Sequence, residues 1–258
     1  MKKIQLLILL LVLILIFKVS NAQTQLNSNS TKEADGAKSN EDTVEFSKLT
    51  NNVWMHTSYK NVEPWGLVFT NGLVIERDDH SVLIDIAWNN RQTIQIIEWA
   101  KSELNKPIRA SIHTHAHADK MGGISALHDE GIDTSANRMS NKLAPTRDLQ
   151  PAKHELDLAF IGDQVSWEGL TVLYPGGGHT RDNIVIYDPA SQIIFGGCLI
   201  RPGNSRSLGY TGHADIEHWS QAAQNVATAF PQAEMVIPSH GKPGGRDVLT
   251  NTIEIAKP

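Results

Sequence analysis

The sequence has a single cysteine, Cys198, among 258 residues, which excludes an internal disulfide. It also lacks a surplus of positive charge, with 23 lysines and arginines against 28 aspartates and glutamates. Because nucleic-acid binding requires a basic face, we expect no nucleic-acid partner. The largely apolar run from Ile4 to Phe17 is shorter than the roughly 20 residues that span a membrane. Because Cys198 cannot form an internal disulfide, its thiol is either buried and inert or has a chemical function.

The first 22 residues have the composition of a secretory signal peptide. Lys2 and Lys3 precede the apolar run, and small residues at 20–22 precede a cleavage site. A retained membrane anchor is the alternative, but the run is too short for it. We predict cleavage after Ala22 and a soluble product with no stable membrane anchor. The leader has no cysteine to carry a lipid.

The remaining chain divides by composition into two parts. Residues 23–43 are mainly Asn, Ser, Thr, Lys, Glu and Asp with one Leu, and such a segment buries too little apolar surface to order itself. We predict a flexible N-terminal segment there. Residues 44–258 alternate groups of strands with helices, which predicts an α/β domain of two packed sheets with helices outside.

Local patterns place the elements of this domain. Apolar residues at helical spacing predict a helix over 90–105, and Asp215 is placed to cap a long helix that runs to 230. Short β-branched runs predict strands, among them 107–114 and 156–160. The order of elements is similar in the two halves of the domain, although no sequence repeat is visible.

The stretch SIHTHAHADKMGG at 111–123 contains histidines and an aspartate at every second position. In an extended segment, side chains at i, i+2 and i+4 point the same way. His115, His117 and Asp119 would therefore converge where a strand meets a loop. Imidazole and carboxylate groups at such a position are typical zinc ligands.

Three further residues of metal-binding type follow predicted strands, namely His179, Cys198 and His240. Each alone has an ordinary interpretation. A single histidine after a glycine turn is more often an ordinary loop residue than a metal ligand, and a cysteine after an apolar strand is usually a buried small hydrophobic residue. Six such residues that each close a strand, most with glycine beside them, predict a site for two metal ions.

These motifs resemble the ligand motifs of the metallo-β-lactamases, and in particular of the broad-spectrum two-zinc subclass. The matching stretches are His-Ala-His-Ala-Asp at 115–119, Gly-His-Thr at 178–180, Gly-Cys at 197–198 and Ser-His-Gly at 239–241. The resemblance covers the chain from about residue 44. It implies an αββα sandwich of two mixed β-sheets flanked by helices, with Zn²⁺ at one edge.

The resemblance also implies a ligand set and a reaction. The first Zn²⁺ would be held by His115, His117 and His179, and the second by Asp119, Cys198 and His240. His113 is left over and is expected to pack or hydrogen-bond behind the site. The implied reaction is hydrolysis of the amide bond of β-lactam antibiotics: penicillins, cephalosporins and carbapenems. A zinc-bound hydroxide would be the nucleophile, Asp119 would orient it, and the second zinc would stabilise the leaving nitrogen.

Substrate contacts are expected from three residues. Arg201, where many relatives have Lys, would bind the substrate carboxylate, with Lys120 or the 202–209 backbone as the alternative. Tyr210 stands where relatives commonly have Asn, so side-chain help to the lactam carbonyl from this loop is in doubt. Trp65, in a segment that resembles a mobile flap, would cover apolar substituents unless it is folded into the local core.

Two other functions stay open on the sequence. A thioesterase or lactonase of the glyoxalase II kind has a histidine after the motif aspartate, where this chain has Lys120, and a bridging aspartate in place of Cys198. A non-catalytic secreted zinc-binding protein is the second alternative. The leader and the cellular target of β-lactams favour the periplasm, and we expect a monomer.

Overall fold

The strands of the domain form two β-sheets that pack face to face. A computed structural model of the chain describes residues 40–257. The first sheet contains seven strands, which are β1 (Val44–Lys48), β2 (Val53–Val62), β3 (Gly66–Glu76), β4 (Ser81–Ile84), β5 (Ile108–His113), β6 (Asp133–Asn137) and β7 (His154–Leu156). The second contains five, which are β8 (Gln164–Trp167), β9 (Leu170–Leu173), β10 (Val185–Asp188), β11 (Ile193–Gly197) and β12 (Met235–Pro238).

Both sheets are mixed in direction. In the first, the strands follow chain order, antiparallel from β1 to β4 and parallel from β4 to β7. In the second, β8 to β11 are antiparallel neighbours and β12 pairs in parallel with β11. The parallel strands β5 and β12 bring distant parts of the chain to one edge of the sandwich, with their carboxyl ends leading into loops.

Helices cover the outer faces of the sandwich. They are α1 (Asn90–Ser102), α2 (Ala118–Met121), α3 (Ile124–Asp129), α4 (Arg138–Leu143), α5 (Ile216–Ala229) and α6 (Asp247–Ile255). One buried cluster lies between the sheets and includes Ile84, Ile112 and Phe195. A second packs α1 and α3 on the first sheet, and a third packs α5 and α6 on the second sheet around Trp219. The αββα sandwich expected from the sequence is confirmed.

The helical patterns predict the helix positions well, but not every capping contact. Helix α1 begins where predicted, and the Asn89 side chain accepts a hydrogen bond from the backbone N–H of Gln92 at 3.0 Å. Asp215 occupies the N-cap position of α5 without capping it through its side chain. Its carboxylate instead bonds Nδ1 of His218 at 2.7 Å.

The strand prediction over 156–160 is wrong for most of its length. Strand β7 ends at Leu156, and a turn follows in which the Asp163 carboxylate accepts the backbone N–H groups of Ala159 and Phe160. Strand β6 was not anticipated because its sequence, Asp-Thr-Ser-Ala-Asn, has no β-branched apolar run. It is a strand because its neighbours β5 and β7 supply backbone partners on both sides.

The predicted signal peptide, and residues 23–39 of the predicted flexible segment, lie outside the described residues. The last part of that segment contacts the domain: the Glu41 carboxylate accepts the backbone N–H of Asn61 at 2.7 Å, and Asp42 pairs with Arg91 at 2.7 Å. Over residues 40–257, every helix is too short or too polar to cross a membrane.

Candidate metal centre

The predicted ligands meet at one edge of the sandwich, on loops that follow strands of both sheets. The His-Ala-His-Ala-Asp stretch comes after β5, and His179 lies in the connection between β9 and β10. Cys198 directly follows β11, and His240 comes two residues after the end of β12. The six predicted ligands therefore follow four strands rather than six, and Asp119 lies in helix α2.

The geometric reason given for their convergence is wrong, however. Residues 114–117 form bends rather than an extended strand, and Asp119 lies in the first turn of α2. The backbone turns back on itself here, since the N–H groups of Lys120 and Met121 both bond the carbonyl of His117. The donors converge because this tight turn folds them together, not because alternate side chains share one face.

Three imidazoles form the first group of donors. Nδ1 of His117 lies 3.1 Å from Nε2 of His115 and 3.2 Å from Nε2 of His179. The three rings meet edge to face, with centroids 4.7–5.1 Å apart. We call these residues the three-histidine group.

A carboxylate, a thiol and an imidazole form the second group. The sulfur of Cys198 lies 3.4 Å from Oδ2 of Asp119 and 3.3 Å from Nε2 of His240. The same Nε2 lies 3.3 Å from Oδ2 of Asp119. We call these residues the Asp-Cys-His group. The two groups adjoin, because the Cys198 sulfur is also within 4.8 Å of the donor atoms of His115 and His179.

The spacing of these atoms fits tetrahedral zinc. Zinc–ligand distances of about 2.0–2.3 Å place neighbouring donors of a tetrahedral site about 3.3–3.6 Å apart. The measured separations of 3.1–3.4 Å approach these values in both groups. Imidazole nitrogen, carboxylate oxygen and cysteine sulfur are also the donor types that zinc prefers. The residues present therefore fit two zinc ions at adjacent positions.

Hydrogen bonds outside the donor groups orient several of the rings. The Nδ1 atom of His240 bonds the carbonyl oxygen of Phe69 at 2.6 Å, so Nε2 faces the Asp-Cys-His group. His115 contacts the Thr114 hydroxyl through Nδ1 at 3.2 Å, and His117 contacts Nδ1 of His213 through Nε2 at 2.9 Å. Such outer contacts fix the tautomer of a metal-binding histidine.

A buried cation stands behind the Asp-Cys-His group. Lys120 is fully buried, and its Nζ lies 3.3 Å from Oδ2 of Asp119 and 3.5 Å from Oδ2 of Asp85. It also donates to the Thr70 hydroxyl at 2.6 Å. On the sequence, Lys120 is an alternative contact for a substrate carboxylate. That alternative is wrong, because a side chain with 0% exposure cannot reach a bound ligand.

Burial and charge set the protonation of the donors. Burial lowers the pKa of the three-histidine group, that of His117 to about 4, so these rings are neutral with lone pairs available. Burial alone would raise the pKa of Asp119, but Lys120 and His240 hold it well below its usual range. Burial also lowers the pKa of His240, yet Cys198 and Asp119 outweigh it and raise that pKa to about 10. The Asp-Cys-His group thus attracts positive charge.

Arg201 lies close to the donors and lacks a partner for part of its guanidinium. Its Nε is buried without a hydrogen-bond partner in the part of the chain that the structure describes. The guanidinium packs under Gly209, where an added Cβ would lie 3.1 Å from Nη2. Burial lowers the pKa of Arg201, and Cys198 opposes this effect. This arrangement is compatible with the predicted role in binding a carboxylate.

Trp65 lies in the turn between β2 and β3 and is 57% exposed, so it is not folded into the local core. Strand β3 of the same hairpin supplies the Phe69 carbonyl that bonds His240. Tyr210 is exposed, and its ring centroid lies 5.9 Å from that of His117. Both residues therefore lie on elements that contact the donor groups.

Glycine beside the donors is required by close packing. A Cβ at Gly178, next to His179, would lie 2.3 Å from Leu199 Cδ1. Gly197, next to Cys198, has a φ of 58°, in the left-handed region that favours glycine. These two positions explain why the predicted ligand motifs contain glycine.

His113 lies behind the site as expected. It is fully buried, and its Nδ1 contacts the carbonyl oxygen of Lys120 at 2.8 Å.

Three residues that support the turn after residue 113 were not predicted from the sequence. Asp182 accepts the backbone N–H of Ala116 at 2.8 Å, and Arg147 donates to the Ala116 carbonyl at 2.7 Å. Asp182 was detectable, since it follows the Gly-His-Thr motif closely. Arg147 and His213 are not close to a ligand motif in the sequence, so nothing in the sequence identifies them.

Comparisons with known proteins agree on one family. The model of the metallo-beta-lactamase superfamily matches residues 65–240. A metallo-beta-lactamase type 2 from Bacillus sp. (strain 170) is 36% identical over 224 residues, with 83% of each chain covered. The crystal structure of a metallo beta lactamase from Hirschia baltica is 58% identical, with a TM-score of 0.82, and the match covers 83% of this chain and 98% of that one.

The metallo-beta-lactamase FIM-1 from Pseudomonas aeruginosa, solved in a mono-zinc form, is 49% identical with a TM-score of 0.80. That match covers 84% of this chain and 96% of the other. The family model spans most of the domain, and both donor groups lie within the residues that it matches. This chain belongs to the metallo-beta-lactamase superfamily.

Proposed function

We propose that this protein hydrolyses the amide bond of β-lactam antibiotics with two zinc ions as cofactors. The observation that carries the proposal is the pair of adjoining donor groups, each with the spacing of a tetrahedral zinc site. Family membership and the names of the relatives support the reaction. We further propose that penicillins, cephalosporins and carbapenems are all substrates.

One zinc ion would be held by the three-histidine group and the other by the Asp-Cys-His group. When bound, zinc acts as a Lewis acid and lowers the pKa of a coordinated water towards neutrality. The contacts of Asp119 with Thr70, Lys120, Cys198 and His240 all converge on Oδ2. We assign the other oxygen, Oδ1, the role of accepting a hydrogen bond from the attacking water and so orienting it.

The remaining proposed roles concern substrate binding. Arg201 would pair with the substrate carboxylate, since its side chain is partly exposed and interacts electrostatically with Cys198, and charge-assisted hydrogen bonds are strong. Trp65 would cover apolar substituents from the β2–β3 hairpin. The exposed Tyr210 ring, beside His117, would also contact the antibiotic.

The proposal includes a location. The charged start, apolar core and small-residue exit of the first 22 residues support export through a cleavable signal peptide. We therefore place the protein in the periplasm, as a monomer. Cell fractionation and mass determination of the exported chain would test this part separately from the chemistry.

The test of the reaction is turnover of the chromogenic cephalosporin nitrocefin before and after removal of metal. We expect exhaustive dialysis against EDTA to abolish turnover and added Zn²⁺ to restore it, because the proposed nucleophile is a water activated by the metal. Parallel assays with a penicillin, a carbapenem and a thioester would separate a β-lactamase from a glyoxalase II-like hydrolase. Full activity at zero measured metal would contradict the mechanism, and zinc uptake without any turnover would favour a non-catalytic zinc-binding protein.

A further inference from the structure

The imidazole of His117 presents its two nitrogens to different surroundings. Nδ1 faces the other two rings of the three-histidine group, at 3.1 Å from His115 and 3.2 Å from His179. Nε2 points away from that group and lies 2.9 Å from Nδ1 of His213. His213 is exposed and comes from the loop that precedes α5, 96 residues further along the chain.

This geometry determines where the protons lie. A histidine that binds metal through Nδ1 must offer the lone pair of that atom, so its proton is on Nε2. With a metal on Nδ1, the Nε2–H of His117 would donate to Nδ1 of His213. His213 would then carry its own proton on Nε2.

The partner of His117 differs from those of the other histidines. His240 bonds a backbone carbonyl and His115 contacts a threonine hydroxyl, whereas Nδ1 of His179 has no partner among residues 40–257. His117 alone of these four contacts another side-chain imidazole through its outer nitrogen. The usual outer partners of a metal-binding histidine are carboxylates, backbone carbonyls and water.

Hydrogen bonds to Ala116 fix the backbone next to His117, but they do not fix the orientation of the His117 ring. Asp182 and Arg147 bond the N–H and the carbonyl of Ala116, the residue before His117. The ring itself meets the ring of Tyr210 edge on, with centroids 5.9 Å apart, and the ring of Tyr210 also meets that of His213 at 5.6 Å. Rotation of the His117 ring about χ2 is therefore restrained by the hydrogen bond to His213.

We propose that His213 is a positioning residue for His117, which holds the Nδ1-donating tautomer and the ring orientation that the three-histidine group needs to bind metal. The inference rests on the proposed metal site and deepens it. It implies that the acceptor atom at position 213, rather than the bulk of the side chain, sets the metal affinity of this group. It also implies that a carboxylate there would polarise His117 more strongly than a neutral imidazole does.

The experiment compares metal binding by the full-length protein and four variants. His213→Asn keeps an acceptor near the position of Nδ1, His213→Asp adds charge to that acceptor, and His213→Phe keeps an aromatic ring without an acceptor. His154→Asn is the control, because His154 is an exposed histidine on β7, remote from the donor groups. Zinc affinity is measured by competition with a chromophoric chelator.

Loss of an outer hydrogen bond typically weakens metal binding about 10- to 100-fold. We expect that loss in His213→Phe at the three-histidine group alone, affinity close to the parent in His213→Asn, and affinity at or above the parent in His213→Asp. Cobalt substitution gives a readout that does not depend on activity. The thiolate-to-cobalt charge-transfer band reports the Asp-Cys-His group and should be unchanged, whereas the ligand-field bands of the three-histidine group should weaken in His213→Phe.

Three results would overturn the inference while leaving the proposed function intact. The first is parent-like zinc affinity in His213→Phe, which would make the contact incidental. The second is equal loss in His213→Asn and His213→Phe, which would make the role one of shape. The third is equal loss at both metal positions, which would indicate a general effect on folding. Absence of metal uptake by the parent protein would instead overturn the proposed function together with this inference.

Discussion

The two donor groups lie side by side but are supported in different ways. The three-histidine group consists of neutral rings, and its outer contacts are a hydroxyl and an exposed histidine. The Asp-Cys-His group contains a buried carboxylate, and the fully buried Lys120 stands behind it with Asp85 and Thr70. The neutral group is oriented by hydrogen bonds, whereas the charged group also requires a counter-charge.

The difference follows from the cost of burying charge. A neutral imidazole needs only a hydrogen-bond partner when it is buried, but an unpaired buried carboxylate is far more costly. Lys120 supplies the compensating charge. Burial alone would lower the pKa of Lys120, but the nearby Asp119 and Asp85 raise it above the ordinary value. The ammonium therefore stays charged. Burial raises the pKa of Asp85 to about 6, an effect that Lys120 only partly offsets. A buried cation thus lies against the Asp-Cys-His group, whereas the outer contacts of the three-histidine rings are uncharged.

The largest expected effect comes from removing the buried cation. Lys120→Met should lower the free energy of unfolding of the zinc-loaded protein by about 3–5 kcal/mol, because breaking a buried charge pair leaves uncompensated carboxylates. Urea denaturation followed by fluorescence measures the change. Lys142→Met, at an exposed position on α4, is the matched control and should differ little from the parent.

The same variant distinguishes the two groups. Because the Lys120 ammonium would repel a bound cation, its removal should raise metal affinity at the Asp-Cys-His group, which Lys120 contacts, and leave affinity at the three-histidine group close to the parent. A Lys120→Met protein with unchanged stability and unchanged affinity at both positions would show that the counter-charge is unnecessary.

A smaller effect is expected at the substrate. Charge-assisted contacts to a carboxylate contribute roughly 1.5–3 kcal/mol, so Arg201→Ala should weaken antibiotic binding about 10- to 150-fold. KM for penicillins and carbapenems should rise by that factor while zinc content stays constant, and kcat should change little if the contact is equally strong in the ground and transition states. Steady-state kinetics at matched zinc content measures this.

Arg201→Lys is the matched variant for that experiment. It keeps the charge and loses the planar two-pronged geometry, so it should recover much of the loss. An unchanged KM in Arg201→Ala would assign the carboxylate contact to the backbone of residues 202–209, since Lys120 is buried.

The smallest expected effect concerns a histidine on the charged side of the site. His56 is fully buried, and burial together with the charge of Lys120 lowers its pKa from 6.5 to about 3. The folded protein therefore binds this proton more weakly than the unfolded chain does. Above pH 6.5, His56 is neutral in both states and does not reduce the free energy of unfolding. As the pH falls from 6.5 towards about 3, the unfolded chain takes up this proton first, and the free energy of unfolding decreases.

His56→Gln should accordingly make stability less dependent on pH. The slope of the unfolding free energy against pH between 5 and 6 should decrease by up to about 1.4 kcal/mol per pH unit relative to the parent. Urea denaturation at matched pH values gives the two slopes. His154→Gln, at an exposed position, should retain the parent slope, and equal slopes in the parent and His56→Gln would mean that His56 does not contribute.

Several parts of the molecule could be predicted from local sequence alone. Helix α1 and strand β5 follow from apolar spacing, and Gly178 and Gly197 stand next to ligands because close packing or backbone conformation requires them. The six candidate ligands could also be named from the sequence, since residue types that bind zinc are few and all six come after strands. The failures have a common cause: strand β6 and the turn after residue 113 are determined by neighbours, not by their own side chains.

Residue type and local backbone preference are encoded within a few positions, and this is why the sequence by itself determined the donors and most of the elements. Only the tertiary structure decided which atoms face each other. His117 meets His213 across 96 positions of the chain, and Lys120 meets Thr70 across 50. A lysine after an aspartate reads as a solvated surface charge until folding places two carboxylates around it and removes the water. The partners of a buried polar group are chosen by long-range packing, because burial itself creates the need for them.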